Sequence, residues 1–193
     1  EIAQCLVGSE MCIRDRGKQC QTKMGRGGIR PLEFKTFSKE MQNAITNYCQ
    51  AGGNFFVSGA YVASDLWDNR LVKANEEDKK FAMEVLKYKW RVGQAARNGK
   101  VKSVASPFPE ITGSYTYYQD LNPESYVVES PDALEPAAQG AFTILRYSEN
   151  NLSAGIAYKG NYKTCVLGFP FEAIRTVTER ELLMKAILTF FEH

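Results

Sequence analysis

Histidine is almost missing from this chain of 193 residues; the one that occurs is His193, the last residue. A catalytic imidazole must be held in one orientation, and a fraying helix end seldom holds one. Nucleophile–histidine chemistry therefore lacks an evident base. Metal chemistry meets a second shortage. The five cysteines form no C-x-x-C pair and no Cys/His ligand spacing, so no zinc site is expected. No dense oxygen-ligand loop suggests a divalent cation, and no cofactor is implied. No stretch reaches the run of about 18 apolar residues that a membrane helix needs. Nor does one sign of charge dominate: the formal net charge is +2. Lys79 and Lys80 follow Glu76, Glu77 and Asp78, and Arg180 sits between Glu179 and Glu181. Such mixing describes a solvated surface, and neither nucleic acid nor an anionic membrane is expected as a partner.

The first residues are treated apart. There is no initiator Met and no basic-then-apolar leader, so the chain is expected not to begin where a gene begins. The run from Gln4 to Arg16 resembles translated read-through of a sequencing adapter over thirteen residues, and residues 1–16 are set aside as one sets aside a tag. That removes two basic and three acidic residues and leaves a net charge of +3. Three cysteines remain: Cys20, Cys49 and Cys165. The last two lie in apolar patterns where a free thiol acts as a small hydrophobe. An odd number with no pairing pattern leaves the redox compartment open. Residues 17–33 read as an irregular lead-in, and residues 34–193 as one domain without repeat or linker.

From about residue 34 the pattern is legible. Ser38 is placed to cap a helix whose face is Met41, Ala44, Ile45, Tyr48 and Cys49, with Glu40 in its first turn and Gly52-Gly53 at its end. Phe55-Phe56-Val57 follows as a wholly apolar strand, the kind buried on both faces of a covered sheet. A second helix is expected from Asn75, its inner stripe running through Phe81, Ala82, Val85 and Leu86 and extended by Trp90. Val101 to Ala105 reads as a strand. Residues 107–136 hold five of the seven prolines and four tyrosines, which suits an elaborated loop or sheet edge rather than a central strand. Phe142–Tyr147, Ser153–Tyr158 and Lys163–Leu167 read as strands, the last two joined by a two-residue turn at Gly160-Asn161. Thr178 and Glu181 fit a capping box for a final helix carrying Leu182, Leu183, Ala186, Ile187, Phe190 and Phe191. This order specifies an α/β layered domain with a mixed sheet and helices on both faces.

The run Gly52-Gly53-Asn54-Phe55-Phe56-Val57-Ser58-Gly59-Ala60-Tyr61 resembles the core of class I glutamine-amidotransferase-like domains, with their layered, flavodoxin-like sheet. The run from Lys163 to Ile174, leading into the capped helix, is similar to the end of the same domain. In particular both are similar to a region of large secreted bacterial proteins labelled xanthan lyase, which carry a golvesin-type carbohydrate-binding module elsewhere. The resemblance covers roughly residues 34–193. It implies that the family's early strands, upstream of Ser38, are missing and that the fragment is incomplete. It also implies a secreted, periplasmic or cell-surface protein whose partners are other domains of the same polypeptide, with polysaccharide as a further partner.

In active members of that fold a Cys sits on a strained turn after the central strand and is activated by a His. Here Ser58 stands in that place. A serine hydroxyl needs a base within hydrogen-bond reach, and Glu172 or Asp65 would be unusual substitutes. Ser58 and Gly59 are therefore read as chosen for size, with a Ser58-dependent hydrolase as the alternative. Ser58, Gly59, Tyr61, Ser64 and Asp65 form a polar set at the carboxyl end of a strand, where ligands gather in layered sheets. Helix capping by Ser64 or Asp65 competes with that reading. Asp68 and Arg70 flank Trp67 close by. Gly168-Phe169-Pro170-Phe171-Glu172 is read as a rigid exit from a buried strand, with Glu172 a ligand candidate. Tyr115, Tyr117, Tyr118 and Tyr126 invite sugar stacking, with Tyr117 and Tyr118 as candidates, although tyrosine is also common at sheet edges. No constellation in the sequence supports lyase chemistry. The expectation is a non-catalytic structural or ligand-binding module; a polysaccharide-processing role stands as a second alternative.

Overall fold

The computed structural model describes residues 24–25, 28–29, 36–67, 74–120, 126–128 and 130–193. The expectations for residues 1–16, most of residues 17–33, Asp68 and Arg70 lie outside them. The two-residue strands β1 (Met24–Gly25) and β2 (Gly28–Ile29) pair antiparallel.

Helix α1 (Lys39–Gln50) starts where the sequence says it should: Ser38 Oγ accepts the Met41 N–H at 3.3 Å. It ends at Gln50, two residues before Gly52, whose φ of +89° suits glycine, because a Cβ strains that backbone region. Strand β3 (Phe55–Ser58) follows directly, and all four of its residues are buried. Alternation explains how. Phe55 and Val57 face α1, and Phe56 faces the opposite layer. Helix α2 (Ser64–Trp67) is a single turn. Helix α3 (Glu76–Phe81) opens on a reciprocal capping box between Asn75 and Asp78 and continues as a π-turn, Ala82–Leu86.

Six strands make the main sheet: β3, β10 (Lys163–Leu167), β9 (Ser153–Lys159), β8 (Ala141–Tyr147), β5 (Lys100–Ser103) and β6 (Ser114–Thr116), in that spatial order. Only β3 and β10 run parallel; the other neighbours are antiparallel. A small second sheet pairs β4 (Tyr88–Val92) with β7 (Ala133–Pro136). The final helix α4 (Val177–Glu192) packs Leu183, Ala186, Ile187 and Phe190 on one face of the main sheet, with Phe190 stacked on Phe108 at 4.4 Å. α1, the π-turn and the β4–β7 pair cover the other face. The expected layered α/β architecture, a mixed sheet with helices on both faces, is the one found.

The sheet also curls. The segment leaving β10 returns to the far edge at β6. Arg175 N–H donates to Thr116 C=O at 2.7 Å, Tyr118 N–H donates to Ala173 C=O at 3.0 Å, and Tyr117 bridges Ile174. The proline-rich stretch thus supplies an edge strand, β6, together with β7.

Three local expectations are corrected. Trp90 lies in β4, not on the second helix, because Lys87 takes a left-handed φ of 67° and ends the helix before it. Three residues, 160–162, join β9 to β10 instead of two, since pairing stops at Lys159 and Lys163. The cap of α4 is Thr176, whose Oγ accepts Glu179 N–H at 3.1 Å and donates to its carboxylate at 2.8 Å. Thr176-Val177-Thr178-Glu179 satisfies the same T-x-x-E pattern as the Thr178 frame, and Leu182, 58% exposed, falls on the solvent side of α4. Among the described residues no helix is long and apolar enough to cross a membrane, and no group of His, Cys, Asp and Glu is placed to hold a metal ion.

Candidate functional site

The carboxyl ends of the parallel pair β3 and β10 position the candidate site. After β3 the chain turns sharply through Gly59–Ala63, and Gly59 N–H still donates to Leu167 C=O at 3.2 Å. After β10 it leaves through Gly168-Phe169-Pro170, with a trans prolyl bond, into a 3₁₀ turn, Phe171–Ala173. The two exits are tied by Ser58, whose Oγ accepts the Phe171 N–H at 3.2 Å.

That bond defines what Ser58 does. Its side chain belongs to a residue 4% exposed, and its described partner is an amide donor, not a base. His193 is far away. Asn54, just before β3, donates from its side chain to Phe191 C=O at 3.0 Å, so the end of α4 lies at the opposite end of the strand. Four residues of extended chain separate the two ends by roughly 13 Å.

The other candidates divide into two places. Tyr61, Phe171 and Tyr126 all pack against the same core cluster, and the Tyr126 hydroxyl donates to Glu172 Oε1 at 3.0 Å. Phe171 sets its ring edge-on to Phe56 at 6.0 Å. Beside them the Arg175 guanidinium covers the ring of Tyr118 at 5.1 Å and pairs with Asp120 at 2.6 Å. Ser58, Tyr118, Tyr126, Glu172 and Arg175 therefore gather along the segment that leaves β10, where the curled sheet closes on itself. Tyr117 does not join them. Its ring stacks on Phe169 at 5.0 Å inside the core and is fully buried, so no face is left for a sugar. Burial pushes its hydroxyl well above the usual tyrosine range, and among the described residues no hydrogen-bond partner reaches that oxygen.

Ser64 and Asp65 point the other way, into the protein. Asp65 accepts the Phe37 N–H at 3.4 Å, and Ser64 contacts a residue that pattern reading missed, Asp132. Asp132 is fully buried. Its Oδ2 accepts Ala63 N–H at 2.8 Å, Ser64 N–H at 2.9 Å and the Ser64 hydroxyl at 3.2 Å; its Oδ1 accepts the Trp90 indole N–H at 3.1 Å. Burial pushes its carboxyl up to about 7 against those four donors, which pull it down. Its sequence signal is faint: one acid between Pro131 and the apolar pair Ala133-Leu134. In place of a cap from Ser64 or Asp65, the first turn of α2 takes its acceptor from β7's doorstep, 69 residues away.

No family model matches the chain, and no curated protein matches it. Solved structures do. A β-galactosidase from Rahnella sp. R3 superposes with a TM-score of 0.54 at 14% identity, over 80% of this chain and 21% of that one. A glutamine amidotransferase from Thermotoga maritima gives 0.41 at 14%, over 80% and 55%, and the N-terminal domain of mmIFT52 gives 0.43 at 15%, over 84% and 74%. The likeness is one of fold. This chain spans about a fifth of the β-galactosidase it resembles.

Proposed function

We propose that this chain is a non-catalytic structural or ligand-binding module, amidotransferase-like in descent, within a larger secreted bacterial protein. The observation that carries the reading is the Ser58–Phe171 bond. In a working nucleophile turn the hydroxyl hydrogen-bonds a base that can take its proton. Here the one described bond of the hydroxyl is accepted from a backbone N–H, no side-chain base among the described residues takes its proton, and the lone imidazole sits at the other end of β3. Ser58 acts as a rivet between two strand exits.

The ligand-binding part of the reading rests on the seam beside that rivet. Tyr126, Glu172, Tyr118 and Arg175 combine aromatic faces, a carboxylate and a guanidinium, a mixture suited to hydroxyl-rich ligands such as polysaccharide. A fold found inside a far longer β-galactosidase is in keeping with a module that works beside other domains, and on this reading the protein is exported.

Two measurements test it. Wild type and Ser58→Ala, assayed with amide and ester substrates, are expected to be equally silent; turnover in wild type that disappears in Ser58→Ala would establish the hydrolase instead. Calorimetric titration with soluble polysaccharides is expected to show binding that weakens in Tyr126→Phe and Glu172→Gln. No binding to any polysaccharide by wild type leaves the purely structural module.

A further inference from the structure

Of the asparagines in this chain, Asn98 is the one that glycine follows. The fold demands that glycine. Gly99 is buried with a φ of +62°, and a Cβ on it would strike the Tyr117 carbonyl oxygen. The pair forms the turn into β5 and is held at both ends. Glu149 Oε2 accepts the Arg97 N–H at 2.8 Å and the Asn98 N–H at 3.2 Å. Gly99 C=O accepts the Tyr117 N–H at 2.8 Å. Asn98 is exposed, and its Oδ1 accepts the Lys100 N–H at 3.1 Å.

These contacts prepare a reaction between two amides. The Gly99 nitrogen and Asn98 Cγ are already tethered through the C, Cα and Cβ atoms of Asn98, so joining them closes a small ring at little cost in entropy. Gly99 has no side chain to obstruct the closure. Among the described residues nothing accepts its N–H, so attack sacrifices no hydrogen bond. Charge developing on Oδ1 meets the Lys100 N–H, a donor already in place.

We propose that Asn98-Gly99 is a self-modifying site, where asparagine converts to aspartate and isoaspartate and thereby loosens the β6 edge. The Gly99 nitrogen gives its proton to hydroxide, and its electron pair attacks Cγ. The Cγ–Nδ2 bond breaks, and that nitrogen takes a proton from water and leaves as ammonia. Water then opens the cyclic imide at one of its two carbonyls, which breaks one C–N bond and leaves one carboxylate. Opening at the main-chain carbonyl routes the backbone through Cβ and Cγ, one carbon longer than before. Glu149 and Tyr117 fix the two ends of that stretch, so the added carbon strains the bonds to both. Either product also sets a second negative charge beside Glu149. The ladder carries the effect outward, because Lys100 pairs with Thr116, whose C=O holds the Arg175 N–H at the seam. The site stands whether or not the seam binds a ligand.

Asn150 supplies an internal comparison. It is exposed too, and its Oδ1 accepts the Leu152 N–H at 3.0 Å, the same bond two residues on. However, Asn151 follows it, and its Nδ2 donates to Ala95 C=O at 2.5 Å. The full chain is held in mildly alkaline buffer at physiological temperature and sampled by peptide mass spectrometry and by isoaspartyl methyltransferase labelling. Asn98 is expected to convert at least about tenfold faster than Asn150, a barrier difference of about 1.4 kcal/mol. Asn98→Gln is expected to remove the isoaspartate that forms in wild type, since its longer arm closes a larger ring. Exchange protection at the Tyr117 and Arg175 amides is expected to fall in aged wild type and to hold in aged Asn98→Gln. The proposal is overturned if Asn98 stays intact in folded protein while converting in urea, or if Asn98 and Asn150 convert alike. It is equally overturned if Asn98→Gln keeps the isoaspartate signal, or if both amides stay protected in converted protein. Should Asn98→Gln fail to fold, the wild-type rate ratio and the two amides decide.

Discussion

Gly168 and Asp132 meet backbone to backbone: Asp132 N–H donates to Gly168 C=O at 2.6 Å, and a Cβ added to the glycine would run into the aspartate's carbonyl oxygen. Backbone cannot step aside as a flexible side chain can. Gly168 does not have a positive φ, so contact rather than conformation demands glycine here. Gly168→Ala is expected to destabilise the protein by about 1–3 kcal/mol, the usual cost of overpacking, measured by urea unfolding. Gly52→Ala, with no atom near its added methyl, should lose about 1 kcal/mol from its left-handed φ alone. Equal stability of Gly168→Ala and wild type would show that the exit of β10 and the entrance to β7 are not in contact.

Two overlapping T-x-x-E patterns compete for the start of the last helix, and the structure selects Thr176 with Glu179. Thr176→Ala should cost about 1 kcal/mol. Thr178→Ala, at an exposed site inside the first turn, should stay within about 0.5 kcal/mol of wild type. Thermal melts of the two variants separate the frames, and a larger loss for Thr178→Ala would restore the other one.

What was legible in the sequence was local or periodic. The Ser38 cap, the Gly52 stop, the double burial of Phe55–Val57 and the inward face of α4 all follow from contacts within a turn or from alternation along a strand. The seam was half legible: Ser58 and Glu172 were picked out by their places at strand exits and Tyr118 as an aromatic face for a sugar, but nothing local says that Tyr126 reaches Glu172 across 46 residues. Tyr117 and Tyr118 are neighbours of one residue type, and only the direction of the β6 edge sends the first into the core and leaves the second at the seam. Asp132 was illegible because its role lies in partners 42 and 68 residues away, and a single acid after a proline reads as a turn. Trp90 failed for a related reason. Its apolar spacing continued a helix that the left-handed Lys87 had already ended.

Cys49 and Cys165 are 1% and 0% exposed, and neither is bonded to another cysteine. Burial pushes the Cys49 thiol up to about 11 and Cys165 higher still. Thiolate is the reactive form, so native protein treated with iodoacetamide near neutral pH should leave both unmodified while denatured protein is labelled at both. Peptide mass spectrometry resolves the two positions from the remaining cysteines. Rapid native labelling of Cys165 would mean that the β10 core opens far more often than its packing against β3 and β9 allows.

The buried carboxyl of Asp132 also fixes how stability should change with pH. Its folded-state pKa is raised by burial to about 7, above an ordinary carboxyl value of 3.8. Between those values the folded protein keeps a proton that the unfolded chain has released. Folding is therefore favoured most below about pH 4; that contribution declines as pH rises and levels off above about pH 7. The full span amounts to a few kcal/mol at most. Asp132→Asn cannot titrate, so the stability difference between wild type and this variant should move against wild type across that window and be flat outside it. The carboxamide also sets an N–H₂ group against one of the four donors, which adds about 1–3 kcal/mol of loss at every pH. Urea titrations of both proteins from about pH 4 to 8 measure the difference. A difference that grows in favour of wild type with rising pH would mean that the four donors outweigh burial and that Asp132 is ionised throughout.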